Sequence, residues 1–139
     1  VMVAVVPFDW QVHDTHFVVA HLHYVLVGGF VFPVIAGLYY WTPQFTGRRS
    51  DQGLGKLAFW TVFAGFNLTF FVMHWTGLFG MPRRVYTYAA GLGWEVPNLV
   101  SSIGSFVLAI GFALILIDMM VQWRFAPHVQ RNPWKAGTL

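Results

Sequence analysis

The sequence predicts an all-α fold, a polytopic transmembrane helical bundle. The first observation is composition: 57% of the 139 residues are hydrophobic and only 9% are charged, against about 25% charged in soluble domains. The second is that three runs, at 17–41, 57–81 and 97–117, contain no Asp, Glu, Lys or Arg. As a helix, each run is long enough to cross about 30 Å of hydrocarbon. We therefore predict helices over about 14–41, 55–81 and 96–124.

The basic residues predict which side of the membrane each loop faces. With three spans, the loop at 42–56 and the tail at 124–139 fall on one side, and together they carry six of the eight Lys and Arg residues. Basic loops stay on the cytoplasmic side, so we expect both segments on the cytoplasmic or matrix side of a bacterial plasma membrane or mitochondrial inner membrane. The basic residues are scattered in short loops, which argues against nucleic-acid binding.

The absence of cysteine excludes several kinds of functional site, and the two ends of the chain suggest a fragment. Without cysteine, disulfides, thiolate metal sites and cysteine nucleophiles are excluded. The chain starts at Val1, and its tail, NPWKAGTL, resembles an internal stretch. We therefore expect a fragment cut at both ends.

The first predicted helix begins with a histidine-rich stretch, HDTHFVVAHLHYV, at residues 13–25. Imidazole is costly in hydrocarbon unless something binds it. On a helix, His21 and His23 point about 200° apart and cannot share one metal ion. Neutral imidazole ligates iron, copper and zinc, and haem iron takes an axial histidine. Either two haems flank the helix, one at each ring, or each ring hydrogen-bonds a neighbouring helix.

Small residues interrupt the first and third helices. Because Gly28 and Gly29 have no side chains, the helix surface at these positions allows either a flat group or another helix to approach closely. Pro33 lacks a donor and would free the carbonyl of Gly29. The third helix carries Asp118 near its far interface, without an assigned role, and a small face suited to helix packing at Ser101, Ser102, Gly104 and Ser105.

Two polar pairs lie on the side of the membrane where the histidines begin. Arg83 and Arg84, in the loop GMPRRVY, either snorkel to lipid headgroups or clamp carboxylates such as haem propionates. His13 and Asp14 could bind a divalent cation with water and another carboxylate. An N-cap role for Asp14 or Thr15 is an equally good explanation.

The stretches HDTHFVVAHLHYV and NLTFFVMHWTGLFGMPRR, with the spacing between them, resemble subunit I of the haem–copper oxidase family, specifically its cytochrome c oxidases. The resemblance covers essentially the whole chain, residues 1–139. It implies a fragment of the subunit's membrane domain that holds the last three of twelve core helices. The remainder of subunit I, subunits II and III, cytochrome c and membrane lipid are the implied partners.

The resemblance also implies roles for individual residues. His21 would ligate the high-spin haem, where oxygen binds, and His23 the low-spin haem, both haems most simply being a-type. Arg83 and Arg84 would bind haem propionates, and His13 and Asp14 a magnesium or manganese ion beside subunit II. The implied reaction is reduction of oxygen to water with electrons from cytochrome c, coupled to proton pumping.

Several positions depart from the family's pattern or lie outside the chain. His16 stands where the family usually has tyrosine and inherits no role, Leu22 replaces a frequent phenylalanine, and Val27 a frequent serine. Quinol-oxidising relatives commonly carry asparagine at position 14, so Asp14 favours cytochrome c. The implied copper ligands, the second low-spin haem ligand and the proton channels lie outside the fragment, which we therefore expect to be inactive alone.

Two other classes of membrane protein account for part of the sequence. A haem-free transporter or structural subunit explains the spans and the charge bias but leaves HLH and the arginine pair unexplained. A membrane di-iron oxygenase needs histidine clusters on cytoplasmic loops, whereas the charge bias predicts these histidines on the opposite side.

Overall fold

The computed structural model describes residues 2–49, 52–129, 134 and 137. Within them the chain is helical, with no strand. After a short 3₁₀ turn at Met2–Ala4 come α1 (Val6–Val12), α2 (His16–Thr46), α3 (Gln52–Leu78) and α4 (Glu95–Arg124). The last three are long and apolar enough to cross a membrane, which confirms the predicted fold class. Arg131 and Lys135, used in the charge argument, lie outside the described residues.

Capping determines where α2 begins and ends. The Thr15 hydroxyl accepts a hydrogen bond from the Phe17 N–H at 3.2 Å and donates one to the Val12 carbonyl at 2.6 Å, so Thr15, rather than Asp14, is the N-cap. At the other end Gly47 adopts φ +64°, and its N–H bonds the Pro43 carbonyl at 3.0 Å. Glycine enters this left-handed conformation without steric cost. The helix therefore extends five residues beyond the predicted end at 41.

Two wide helical turns were not predicted. α2 is π-helical over Tyr24–Val31, immediately after the HLH triplet, and α3 is π-helical over Asn67–Phe71. Pro33 lies two residues beyond the first of these segments, and Gly29, whose carbonyl it was expected to free, lies inside that segment. Such turns are uncommon and frequently occur at functional sites.

Glycines allow α3 and α4 to pack closely. A Cβ on Gly65 would lie 2.4 Å from the Leu108 backbone nitrogen, and one on Gly104 would lie 2.6 Å from that of Thr69. Ser101 is buried and donates to the Thr69 carbonyl at 2.9 Å. Ser102 is exposed and bonds its own helix, as does Ser105. Of the predicted small packing face, Ser101 and Gly104 therefore contact α3, whereas Ser102 and Ser105 do not.

α2 packs most closely on α3 near the histidine end, the end of the bundle that carries 13–16 and 79–84. There Gly77 contacts the Phe17 backbone, and Ala20 is fully buried. Beyond the π segment, Phe32, Ile35 and Tyr39 still contact the core between α3 and α4. Only 6% of the most apolar stretch of α2 is buried, however, against 28% in α3. A Cβ at Gly28 or Gly29 would meet nothing within 4 Å. In the described part of the chain these glycines therefore face open space rather than a packed helix.

Candidate functional site

His23 is held in a defined orientation by two contacts. Its Nδ1 lies 2.7 Å from the Val19 carbonyl, and because a carbonyl only accepts, Nδ1 must carry the proton. The ring stacks on Phe70 of α3, with centroids 4.1 Å apart and planes 12° apart. This leaves Nε2 as the nitrogen with a lone pair, the state in which histidine binds a metal.

His21 lies two residues earlier, in the regular α-helical part of α2, His16–His23. On such a helix, positions 21 and 23 lie about 200° apart around the axis. The ring is half-buried and lies within electrostatic range of His74 on α3. Across the described ranges no hydrogen bond involves the His21 ring. Neither histidine belongs to a described group of three or more side chains able to hold a metal ion.

The loop before α2 is bonded to the loop after α3. The Arg83 N–H donates to the Asp14 carbonyl at 2.8 Å, the His16 N–H donates to the Met81 carbonyl at 3.0 Å, and the backbones of Thr15 and Pro82 pair between them. The Arg83 guanidinium also forms an ion pair with the Asp14 carboxylate. The two predicted polar pairs, His13–Asp14 and Arg83–Arg84, are therefore brought together.

Backbone strain occurs in the same two loops, before α2 and after α3. Asp14 has φ +58° and Arg84 has φ +65°, the only non-glycine residues with positive φ among those described. Left-handed conformations are uncommon outside glycine and cluster at functional sites. At this place Arg83, with 31% of its side chain exposed, pairs with Asp14, whereas Arg84 is exposed. The two arginines thus occupy different environments.

His13 lies between two carboxylates. Its Nε2 is 3.5 Å from Asp14 Oδ2, and its Nδ1 is 3.9 Å from Asp9 Oδ2. Asp9 was not among the predicted site residues; it lies in α1, and His13 follows directly after the last residue of that helix. The three side chains are well exposed, and in the described chain they do not form a complete metal site.

His16 is a further group that the sequence left without a role. It begins α2 beneath the MPRR loop, half-buried, and its Nδ1 is buried with no hydrogen-bond partner in the part of the chain described here. The ring therefore adds a polar atom to the histidine end of the bundle.

Residues 1–107, which include every candidate site residue, match the family model described as "Cytochrome C and Quinol oxidase polypeptide I". The chain belongs to this oxidase family. The cytochrome c oxidase subunit 1 of Bacillus sp. (strain PS3) is 48% identical over 137 residues, covering 99% of this chain and 22% of the relative. That of Alkalihalophilus pseudofirmus is 47% identical, covering 100% and 22%. The quinol oxidase subunit 1 of Bacillus subtilis is 38% identical, covering 99% and 21%.

These comparisons confirm the resemblance seen in the sequence. The chain spans about a fifth of the length of the curated oxidase relatives that it matches. It is a multi-pass membrane part of a haem–copper oxidase subunit I. The family as a whole therefore implies haem and copper cofactors and an oxidase complex with other subunits.

In this oxidase fragment, an apolar cleft of about 680 Å³ opens between α2, α3 and α4. Gly28 lies at one end of the cleft, five residues beyond His23, and Asp118 lies near the other. Asp118 is fully buried and approaches Gly55, where a Cβ would lie 3.3 Å from its Oδ2. Asp118, to which the sequence assigned no role, is therefore covered by α3 at this end of α4.

Proposed function

We propose that the chain is part of the catalytic subunit of a terminal respiratory oxidase, in which His21 and His23 each ligate one haem iron. The observation that carries the proposal is one continuous α-helical segment, His16–His23, because positions 21 and 23 on such a helix lie about 200° apart around its axis. The bond from Nδ1 of His23 to the Val19 carbonyl supports it, because it leaves Nε2 available to a metal. When bound, the haems supply oxygen binding and electron transfer.

The chain's own residues would orient the haems and balance their charge. His23 is fixed by Val19 and by the Phe70 stack, whereas the unbonded, half-buried His21 ring fits a ligand at its own flank. The cleft that begins at Gly28 is lined mainly by apolar side chains. It therefore fits an apolar substituent, which supports the assignment of a-type haems.

The arginine pair is proposed to bind haem propionates. Arg83 already holds Asp14, but a guanidinium has five N–H donors and can serve a second carboxylate. Arg84 is exposed at the same loop and carries the second positive charge. Together they would offset the negative charge of the propionates. Their positive charge would also stabilise the reduced haem.

A magnesium or manganese ion is proposed at His13 and Asp14. An imidazole nitrogen and a carboxylate are suitable ligands for such an ion. The pair is too small a set by itself, so another subunit must complete the site, and subunit II is the proposed contributor. The exposure of His13, 65% of its side chain, leaves it accessible to such a partner.

We propose cytochrome c as the electron donor of the complete enzyme, oxygen as the acceptor, and coupled proton pumping as the energetic output. Aspartate at position 14 and the greater identity to cytochrome c oxidases, 48% against 38% for the quinol oxidase, support this donor. Copper ligands would come from the rest of subunit I. Subunits II and III are the proposed partners, with residues 42–56 and 124–139 on the cytoplasmic or matrix side.

The test uses the complete oxidase complex carrying His21→Ala, His23→Ala or, as control, His128→Ala. His128 is exposed and far from the site, beside Gly47. We expect His23→Ala to abolish the low-spin haem spectrum and His21→Ala to abolish carbon monoxide binding to the high-spin haem. The control should keep both signals. An unchanged low-spin spectrum in His23→Ala would refute the assignment, and turnover with quinol but not with cytochrome c would refute the donor.

A further inference from the structure

The two π-helical segments are joined to each other. Tyr24, the first residue of the segment in α2, donates a hydrogen bond from its hydroxyl to Oδ1 of Asn67, the first residue of the segment in α3, at 2.7 Å. Within the described ranges it is the only hydrogen bond between side chains of α2 and α3. Both residues are half-buried inside the membrane-spanning segments.

Each partner in this bond is itself fixed. The Asn67 side chain donates from Nδ2 to the Phe63 carbonyl at 2.8 Å, which turns Oδ1 towards Tyr24. The Tyr24 ring contacts Phe66 at 4.8 Å and His74 at 5.4 Å between centroids. Two pre-oriented groups lose little freedom when they bond, and in a low-dielectric interior their bond is stronger than in water.

The same two segments control the surroundings of His23. Tyr24 follows His23 directly in the chain, and Phe70, on which the His23 ring stacks, lies inside the segment that Asn67 begins. The bond therefore fixes the rotation of α2 at His23 relative to the ring that packs against it. Without the Tyr24–Asn67 hydrogen bond, only the Val19 carbonyl and the Phe70 stack would determine the direction of the His23 imidazole plane.

We infer that Tyr24 and Asn67 are positioning residues for the iron ligand His23, acting through the hydrogen bond that joins the two π segments. The inference rests on the proposed function, in which His23 ligates a low-spin haem. The angle between the planes of two axial imidazoles determines the g-value spread of a low-spin ferric haem. A change in imidazole orientation is therefore visible in the electron paramagnetic resonance spectrum, even when the haem remains bound.

The experiment compares the purified complete oxidase with its Tyr24→Phe, Asn67→Ala and double variants. Tyr24→Phe removes only the hydroxyl and keeps the contacts with Phe66 and His74. Tyr40→Phe is the matched control, because it makes the same change in the same helix beside Trp41, far from His23. Each sample is measured for haem content, for low-spin g values and for the low-spin reduction potential.

We expect Tyr24→Phe to retain both haems but to shift the low-spin g values and the reduction potential, while Tyr40→Phe matches the wild type. In the double variant the g values and the reduction potential should shift no further than in Asn67→Ala, because both single changes break the same hydrogen bond. Normal g values and a normal reduction potential in Tyr24→Phe, with or without reduced thermal stability, would overturn the inference. The Tyr24–Asn67 hydrogen bond would then have only a structural role. If His23→Ala kept the low-spin signal, the proposed function itself would fail, so the two failures are distinguishable.

Discussion

Asp14 and Arg83 are joined twice, once by their side chains and once by a backbone hydrogen bond of 2.8 Å. The double connection fastens the start of α2 to the loop that follows α3. A carboxylate proposed to bind a metal ion thus shares its charge with a guanidinium proposed to bind a propionate. A change at either residue should therefore affect both proposed sites.

Replacement of Asp14 by asparagine should weaken manganese binding by the complete oxidase. The amide keeps the backbone bond to Arg83 but loses the negative charge that both the ion and the guanidinium require. We expect affinity to fall by at least about tenfold, measured as bound Mn²⁺ by electron paramagnetic resonance after growth on manganese. Glu95→Gln is the control, since Glu95 lies at the same end of the bundle and bonds only its own loop, at Gly91. Undiminished manganese in Asp14→Asn would contradict the metal assignment.

Removal of the two arginine charges should separate their roles. Arg83→Gln and Arg84→Gln should each lower a haem reduction potential, because a nearby positive charge favours the added electron, by on the order of 1 kcal/mol. Only Arg83→Gln should also loosen the loop, since of the two arginines Arg83 is the one that pairs with Asp14. Spectroelectrochemical titration measures the first effect and limited proteolysis near residues 82–94 the second. Equal loop cleavage in the two variants would show that the Asp14 contact does not hold the loop.

Periodicity and helix geometry predicted much of this arrangement. The three spans follow from uncharged runs, and the opposed directions of His21 and His23 follow from the fixed angle per residue of a helix. The Asp14–Arg83 contact could not be predicted, because it depends on left-handed backbone at Asp14 and Arg84, which no residue pattern marks. The fragment's place in an oxidase came from motif resemblance rather than from geometry.

The depth of Asp118 and the two π segments escaped prediction for a different reason. Hydropathy locates a carboxylate along a helix but not the neighbour that covers it, here the Gly55 region of α3. Apolar periodicity likewise does not reveal a wide turn in a segment that is hydrophobic on all sides, as Tyr24–Val31 nearly is. Both features depend on contacts between helices, which a single sequence does not contain.

Substitution of Gly65 by alanine should destabilise the α3–α4 contact. The new Cβ would lie 2.4 Å from the Leu108 backbone nitrogen, so the two helices must move apart, at a cost of about 1–3 kcal/mol. Gly37→Ala is the matched control, because a Cβ there meets nothing within 4 Å in the described chain. Thermal unfolding of the detergent-solubilised oxidase measures the difference. An equal loss of stability in both variants would contradict the proposed close approach at Gly65.

Replacement of Thr15 should test whether the start of α2 depends on its cap. Thr15→Ala removes the oxygen that accepts from the Phe17 N–H and donates to the Val12 carbonyl, and loss of such a cap costs about 1 kcal/mol. The frayed first turn would release the bond from the His16 N–H to Met81 and hence the contact with the MPRR loop. We expect faster hydrogen exchange at Phe17 and Val18 and a lower unfolding temperature. Thr15→Ser retains the hydroxyl and should restore both, so equal exchange in the alanine and serine variants would exclude a capping role.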